Sequence, residues 1–160
     1  MRLTEDEVKL ATVVGKARHK KARRNGLTRT VAGKGYPGEP DDSEEALNKD
    51  INAAAAEMLV AKATNRYWHP DLHAQGRHEP DVGDDIQVRW TKYRTGRLMF
   101  WPDDYDDQCY FLVTGLVPNL TLRGYMMGHK CRRTEWLDSP NGRPKAYFVP
   151  QSELHEYEEE

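Results

Sequence analysis

Residues 81–91 read Asp-Val-Gly-Asp-Asp-Ile-Gln-Val-Arg-Trp-Thr. From Asp85 onward polar and apolar side chains alternate. Asp85, Gln87 and Arg89 share one side, and Ile86, Val88 and Trp90 the other. That period of two belongs to an extended strand, not a helix. The segment predicts a strand over 84–91 that turns one face to a core. Its other face lines up a carboxylate, an amide and a guanidinium. Oxygen ligands suit a hard divalent cation, and a guanidinium suits an anion beside it.

The rest of the chain divides into a helical front and a strand-rich back. Thr4 reads as an N-cap with Glu7 at the capping-box position. Val8, Leu10, Ala11, Val14 and Ala17 supply an apolar stripe, and the helix is expected to run to about Arg24, before Asn25-Gly26. Residues 27–42 carry Gly33, Gly35, Pro37, Gly38 and Pro40 and read as an irregular connection. Ser43, Glu44 and Glu45 open a second helix that continues through Ile51, Met58 and Leu59 to about Arg66 or Trp68. Its alanine run, Ala53 to Ala56, lets another element approach closely. Glu57 follows directly and, taken alone, reads as a solvent-facing helix former. Strands are expected over 84–91, 96–101, 108–114, 119–127 and 146–149. Asp103, Asp104, Asp106 and Asp107 lie in a loop between the second and third of these.

A chain of 160 residues fits one domain with a real core. Net charge is −2, so bulk charge names no partner, but its distribution is uneven. Residues 1–34 hold ten Lys/Arg against three Asp/Glu, whereas Glu153, Glu156, Glu158, Glu159 and Glu160 make an acidic end. A basic arm on a neutral body is compatible with nucleic-acid contact. It is equally compatible with a solvated helix face. Cys109 and Cys131 are the only cysteines. With no signal peptide or membrane span visible, they point to a reducing, cytoplasmic setting without a structural disulfide.

Phosphodiester hydrolysis requires a divalent cation, an activated water and stabilised charge on the phosphate. Asp81, Asp84, Asp85 and Gln87 offer oxygens, and Arg89 offers a permanent positive charge. Glu57 is placed to complete the set from the second helix. The order of helix Glu, then Asp, then Gln-Val-Arg on a strand resembles the PD-(D/E)XK nuclease superfamily. More narrowly, it looks like small phage or prophage proteins of nuclease-like fold. The resemblance runs over about residues 48–154 and rests on several segments. These are Ile51-Asn-Ala-Ala-Ala-Ala-Glu-Met-Leu-Val-Ala-Lys-Ala, residues 81–91, Arg97-Leu-Met-Phe with the acidic loop, and Tyr110-Phe-Leu-Val-Thr-Gly. Gly124-Tyr-Met-Met-Gly, Trp136 and Ala146-Tyr-Phe-Val-Pro-Gln complete it.

The resemblance implies an α/β fold with a mixed central sheet flanked by helices, as in restriction endonucleases. It implies a basic helical extension and linker at 1–45, a core at 46–154 and an acidic tail at 155–160. Glu57 and Asp81 would be metal ligands, Gln87 would stand where the superfamily has an acidic residue, and Arg89 where it has a lysine. Only six positions separate Asp81 from Gln87, so Asp84 or Asp85 is an alternative ligand. The implied activity is Mg²⁺- or Mn²⁺-dependent hydrolysis of DNA, with a homodimer as a possible form and a bacterial cytoplasm as the setting. The alternative is an inactive nuclease fold kept as a nucleic-acid-binding or protein-interaction module, because neutral Gln87 weakens metal binding and Arg89 transfers protons poorly.

Two further groups stand out. His69, His73, His78, His129 and Cys131 are zinc-capable, but their spacing matches no standard zinc pattern. Lys130, Arg132 and Arg133, near Tyr125 and Trp136, are suited with Lys92 and Arg89 to a phosphate backbone. They are suited equally to a solvated sheet edge.

Overall fold

The computed structural model describes residues 1–24, 30–31, 34–35, 43–71 and 79–158. Helix α1 spans Glu5–Arg24. Thr4 caps it as expected, its hydroxyl accepting from Glu7 N at 3.2 Å. A two-residue pair, β1 (Thr30–Val31) and β2 (Lys34–Gly35), follows. Helix α2 spans Glu44–Thr64, shorter at its end than expected. Ser43 caps its start by accepting from Ala46 N, and Asn65, in a left-handed conformation, ends it.

The strands are β3 (Ile86–Thr91), β4 (Leu98–Phe100), β5 (Cys109–Leu116), β6 (Asn119–Met127), β7 (Leu137–Asp138) and β8 (Ala146–Val149). A four-residue helix α3, Gly128–Cys131, follows β6. The fold is mixed α/β, but the strands do not form one central sheet. They divide into a sheet ordered β3-β5-β6 and a smaller one ordered β4-β8-β7. In the first, β3 and β5 are parallel and β5 and β6 antiparallel; the second is antiparallel throughout.

Strand β5 explains the division. It is central in its sheet and buried on both faces, so its apolar run is continuous rather than alternating. Phe111 and Val113 face a core built with Ala54, Leu59 and Val60 of α2 and Ala11 and Val14 of α1. Tyr110 and Leu112 face a second core with Leu98, Phe100 and Val149 of the smaller sheet, Met126 and Trp136. A helical layer therefore covers one face of the first sheet and the smaller sheet covers the other. Each large apolar side chain so buried contributes about 1.5–3 kcal/mol.

Helix α1 is not an extension outside the core. Ala11 and Val14 share the first core with α2. A Cβ on Gly15 would lie 2.5 Å from Ile51 Cα, so the two helices touch where α1 has no side chain. The expected acidic tail is also partly structural. Tyr157 packs on Phe111 and Tyr125, and His155 pairs with Tyr125 at the edge of β6. Gly124 permits this approach: its φ is +146°, and a Cβ there would lie 2.6 Å from His155 O. Among the described residues no helix is long and apolar enough to cross a membrane.

Candidate functional site

Helix α2 lies between α1 and the first sheet and is buried nearly all round, with Glu57 among its buried residues. Glu57 is thus not the solvent-facing residue its sequence context suggests. A carboxylate in such a place needs a partner, and Arg18 of α1 supplies it. Arg18 lies on the buried stripe of Ala11 and Val14, at i, i+3, i+7 spacing. Its Nη1 donates to Glu57 Oε2 at 2.7 Å and its Nη2 to Glu57 Oε1 at 3.1 Å. Trp68 Nε1 also donates to Oε1, at 3.3 Å. The Arg18 Nε donates to Asp71 O at 2.8 Å and Nη2 to His69 O at 3.3 Å, tying the segment after α2 to α1.

Asp81 carries a second carboxyl whose charge is felt at this pair. The segment around it folds back on the start of β3 through Trp68–Val82 and Val82–Ile86 bridges. Asp81 Oδ2 accepts from Val88 N at 2.8 Å, satisfying a donor on the outer edge of β3. His69 Nε2 donates to Gly83 O at 2.7 Å, holding the turn. Asp81 is near enough for its charge to act on Glu57. Burial, and next the Asp81 charge, push the Glu57 carboxyl up to about 8 against the opposing pull of Arg18 and Trp68. Burial also raises Asp81, opposed by the Val88 bond and by Arg89, Arg18 and His69. Burial outweighs the nearby positive charges at both carboxyls, and each carboxylate disfavours the other, so the pair favours keeping a proton.

Gln87 and Arg89 do not join this pair. Their neighbours Ile86, Val88 and Trp90 belong to the helix-side core, so strand alternation turns Gln87 and Arg89 to the opposite face. There Gln87 is buried, its Nε2 donating to Glu79 O at 2.7 Å and Gln108 Oε1 at 3.1 Å. Arg89 Nη2 donates to Asp104 Oδ2 at 2.9 Å and Nε to Met99 O at 3.2 Å, with the guanidinium over the Tyr110 ring. Asp104 is itself buried and also accepts from Trp101 N at 2.7 Å. The expected line of ligands is therefore a set of structural bonds. Asp85, at the start of that line, pairs with Arg66 at 3.4 Å, and Asp84 is exposed in the turn before β3.

The basic residues also separate. Arg132 is clamped against the acidic loop. It donates to Asp106 Oδ1 at 2.8 Å, to Asp104 O at 2.6 Å and to Pro102 O, and covers the Phe100 ring. Arg133 pairs with Glu135 and covers Trp136. Lys130 and Lys92 are exposed. His73 and His78 lie outside the described residues.

The donor set does not fit a divalent cation in this arrangement. Both Glu57 oxygens hold Arg18, a cation already in place, and Gln87 is committed on the far face of the sheet. Among the described residues no three His, Cys, Asp or Glu side chains converge to hold a metal ion. Arg18, the partner that redirects Glu57, was not singled out in the sequence, and Asp104, the partner of Arg89, was named only as part of an acidic loop. Arg18 left a signal, a cation on the buried stripe of an amphipathic helix. No protein-family model, curated protein or solved structure matches this chain.

Proposed function

We propose that this chain is a nuclease-like, restriction-endonuclease-related fold that binds nucleic acid without hydrolysing it. The observation that carries this reading is the two-point bond of Arg18 to Glu57 beside Asp81. It puts a fixed guanidinium against the carboxylates that the superfamily resemblance assigns to a metal. The same resemblance makes DNA the expected partner. Arg89, assigned by it to the phosphate, neutralises Asp104 instead.

Metal-dependent DNA hydrolysis is the second reading. It is favoured by Asp81 lying near enough for its charge to act on the buried Glu57, and it requires Arg18 to leave Glu57.

One experiment separates the two. Linear, single-stranded and branched DNA are incubated with the protein in Mg²⁺ or Mn²⁺, and binding is followed in parallel. Salt-sensitive binding with intact DNA supports the proposal. Metal-dependent cutting that Glu57→Ala and Asp81→Ala both abolish overturns it in favour of hydrolysis. Neither binding nor cutting removes both readings.

A further inference from the structure

Many of the cations among the described residues are neutralised by a nearby carboxylate. Arg18, Lys62, Arg66, Arg89, Arg132 and Arg133 each pair with a carboxylate. The connection from β3 to β4, Lys92-Tyr93-Arg94-Thr95-Gly96-Arg97, is different. It holds three cations and no acid, and among the described residues no carboxylate pairs with any of the three. Lys92, Tyr93, Arg94, Thr95 and Arg97 are all exposed. Tyr93 is 64% exposed, the second most exposed of the large hydrophobic side chains described, and Lys92 Nζ stands 5.2 Å from its ring centre.

The backbone beneath these side chains is held. Gly96 N donates to Tyr93 O at 2.9 Å, closing a turn. Tyr93 N donates to Thr91 Oγ1 at 3.3 Å. Gln151 Nε2 donates to both Arg94 O and Gly96 O, each at 2.8 Å. A Cβ on Gly96 would meet Thr91 Cγ2 at 2.3 Å, so the turn closes tightly over β3. One amide side chain thus fixes two carbonyls of a loop whose own side chains all face water.

We infer that this loop is a contact site for single-stranded nucleic acid. Lys92, Arg94 and Arg97 follow the phosphates, and Tyr93 stacks an unpaired base. Unneutralised cations interleaved with an exposed aromatic ring suit a strand whose bases are free to stack. A duplex hides those faces, so Tyr93 adds little there. Gln151 is a positioning residue that keeps the turn in shape. The inference rests on the nucleic-acid-binding reading above and gives that reading a place in the connection from β3 to β4.

The test measures fluorescence anisotropy of labelled oligothymidylate over a range of salt, using the full chain, with duplex DNA and anionic phosphatidylserine vesicles as competitors. The wild-type protein is expected to bind oligothymidylate more tightly than duplex. Tyr93→Ala is expected to weaken binding about tenfold. The variant with Lys92, Arg94 and Arg97 all changed to Ala is expected to lose more, and to lower the slope of log K against log salt by about 2, from three contacts at about 0.7 each. Gln151→Ala is expected to weaken binding with the salt slope kept. Lys145→Ala, an exposed cation just before β8, is expected to bind as the wild type does. If the wild-type protein binds but the triple variant matches it in affinity and slope, the loop inference fails and the broader reading stands. If the wild-type protein binds no nucleic acid, both fail. If vesicles displace the oligonucleotide through these same residues, the loop is a lipid-surface site and the inference is overturned.

Discussion

Arg18 and Glu57, 39 residues apart in sequence, meet through two parallel bonds of 2.7 and 3.1 Å between adjacent helices. This is the fork geometry in which a guanidinium binds a carboxylate most strongly. The pair ties the basic N-terminal helix to the helix carrying the candidate acid, and through His69 O and Asp71 O it also ties down the segment leading towards Asp81.

Arg18→Ala removes the partner and leaves Glu57 buried. Loss of one member of a buried pair costs on the order of 3 kcal/mol. Urea unfolding near pH 8 is expected to show a loss of that size. At pH 5 the loss is smaller, because Glu57 takes up a proton and needs a cation less. Equal losses at both pH values would contradict the burial account.

The stability of the protein should fall with rising pH through this site. Glu57 is raised from 4.5 to about 8 in the folded chain. Between those values the folded state holds a proton that the unfolded state has released, so its contribution is full below pH 4.5 and is lost as pH climbs to about 8. Glu57→Gln is expected to flatten that part of the profile. Denaturant midpoints across the range provide the measurement, and an unchanged profile in the variant would count against the raised carboxyl.

Arg89 is expected to act on stability first. Arg89→Ala removes the guanidinium bonded to the Asp104 carboxylate, whose side chain is 2% exposed, and should cost about 3 kcal/mol. Asp104→Asn alone should also destabilise, and the two changes together should cost less than their sum. A double-mutant cycle in urea checks this; additive losses would separate the two residues.

Gly15 marks the closest approach of α1 and α2. Gly15→Val puts a branched side chain where a Cβ alone would lie 2.5 Å from Ile51 Cα. Overpacking of this kind costs about 1–3 kcal/mol. Thermal melting is expected to show a lower Tm; an unchanged Tm would mean that the helices separate freely at that point.

Much of the local structure was readable along the chain. Thr4 and Ser43 mark both helix starts, because a hydroxyl cap acts within three residues. Strands β3 to β6 and β8 fall close to where alternating and apolar runs put them, whereas the two-residue strands β1, β2 and β7 were not expected. Glu57 and Asp81 were singled out from residue order, and the Asp81 charge does act on Glu57. The direction of Gln87 and Arg89 was also readable, as a shared face opposite Val88. What that face meets was not: Gln108 and Asp104 arrive from beyond β4, and no period in residues 81–91 encodes them.

Chain order and hydrophobic period account for the helices and most of the strands. Folding in three dimensions set which charge meets which. It placed Arg18 on Glu57, Asp104 on Arg89 and the second sheet against β5. The physical reason is range. Caps and strand alternation act over a few residues, whereas a buried charge is satisfied by whichever opposite charge packing brings within about 3 Å, however far away it lies in the chain.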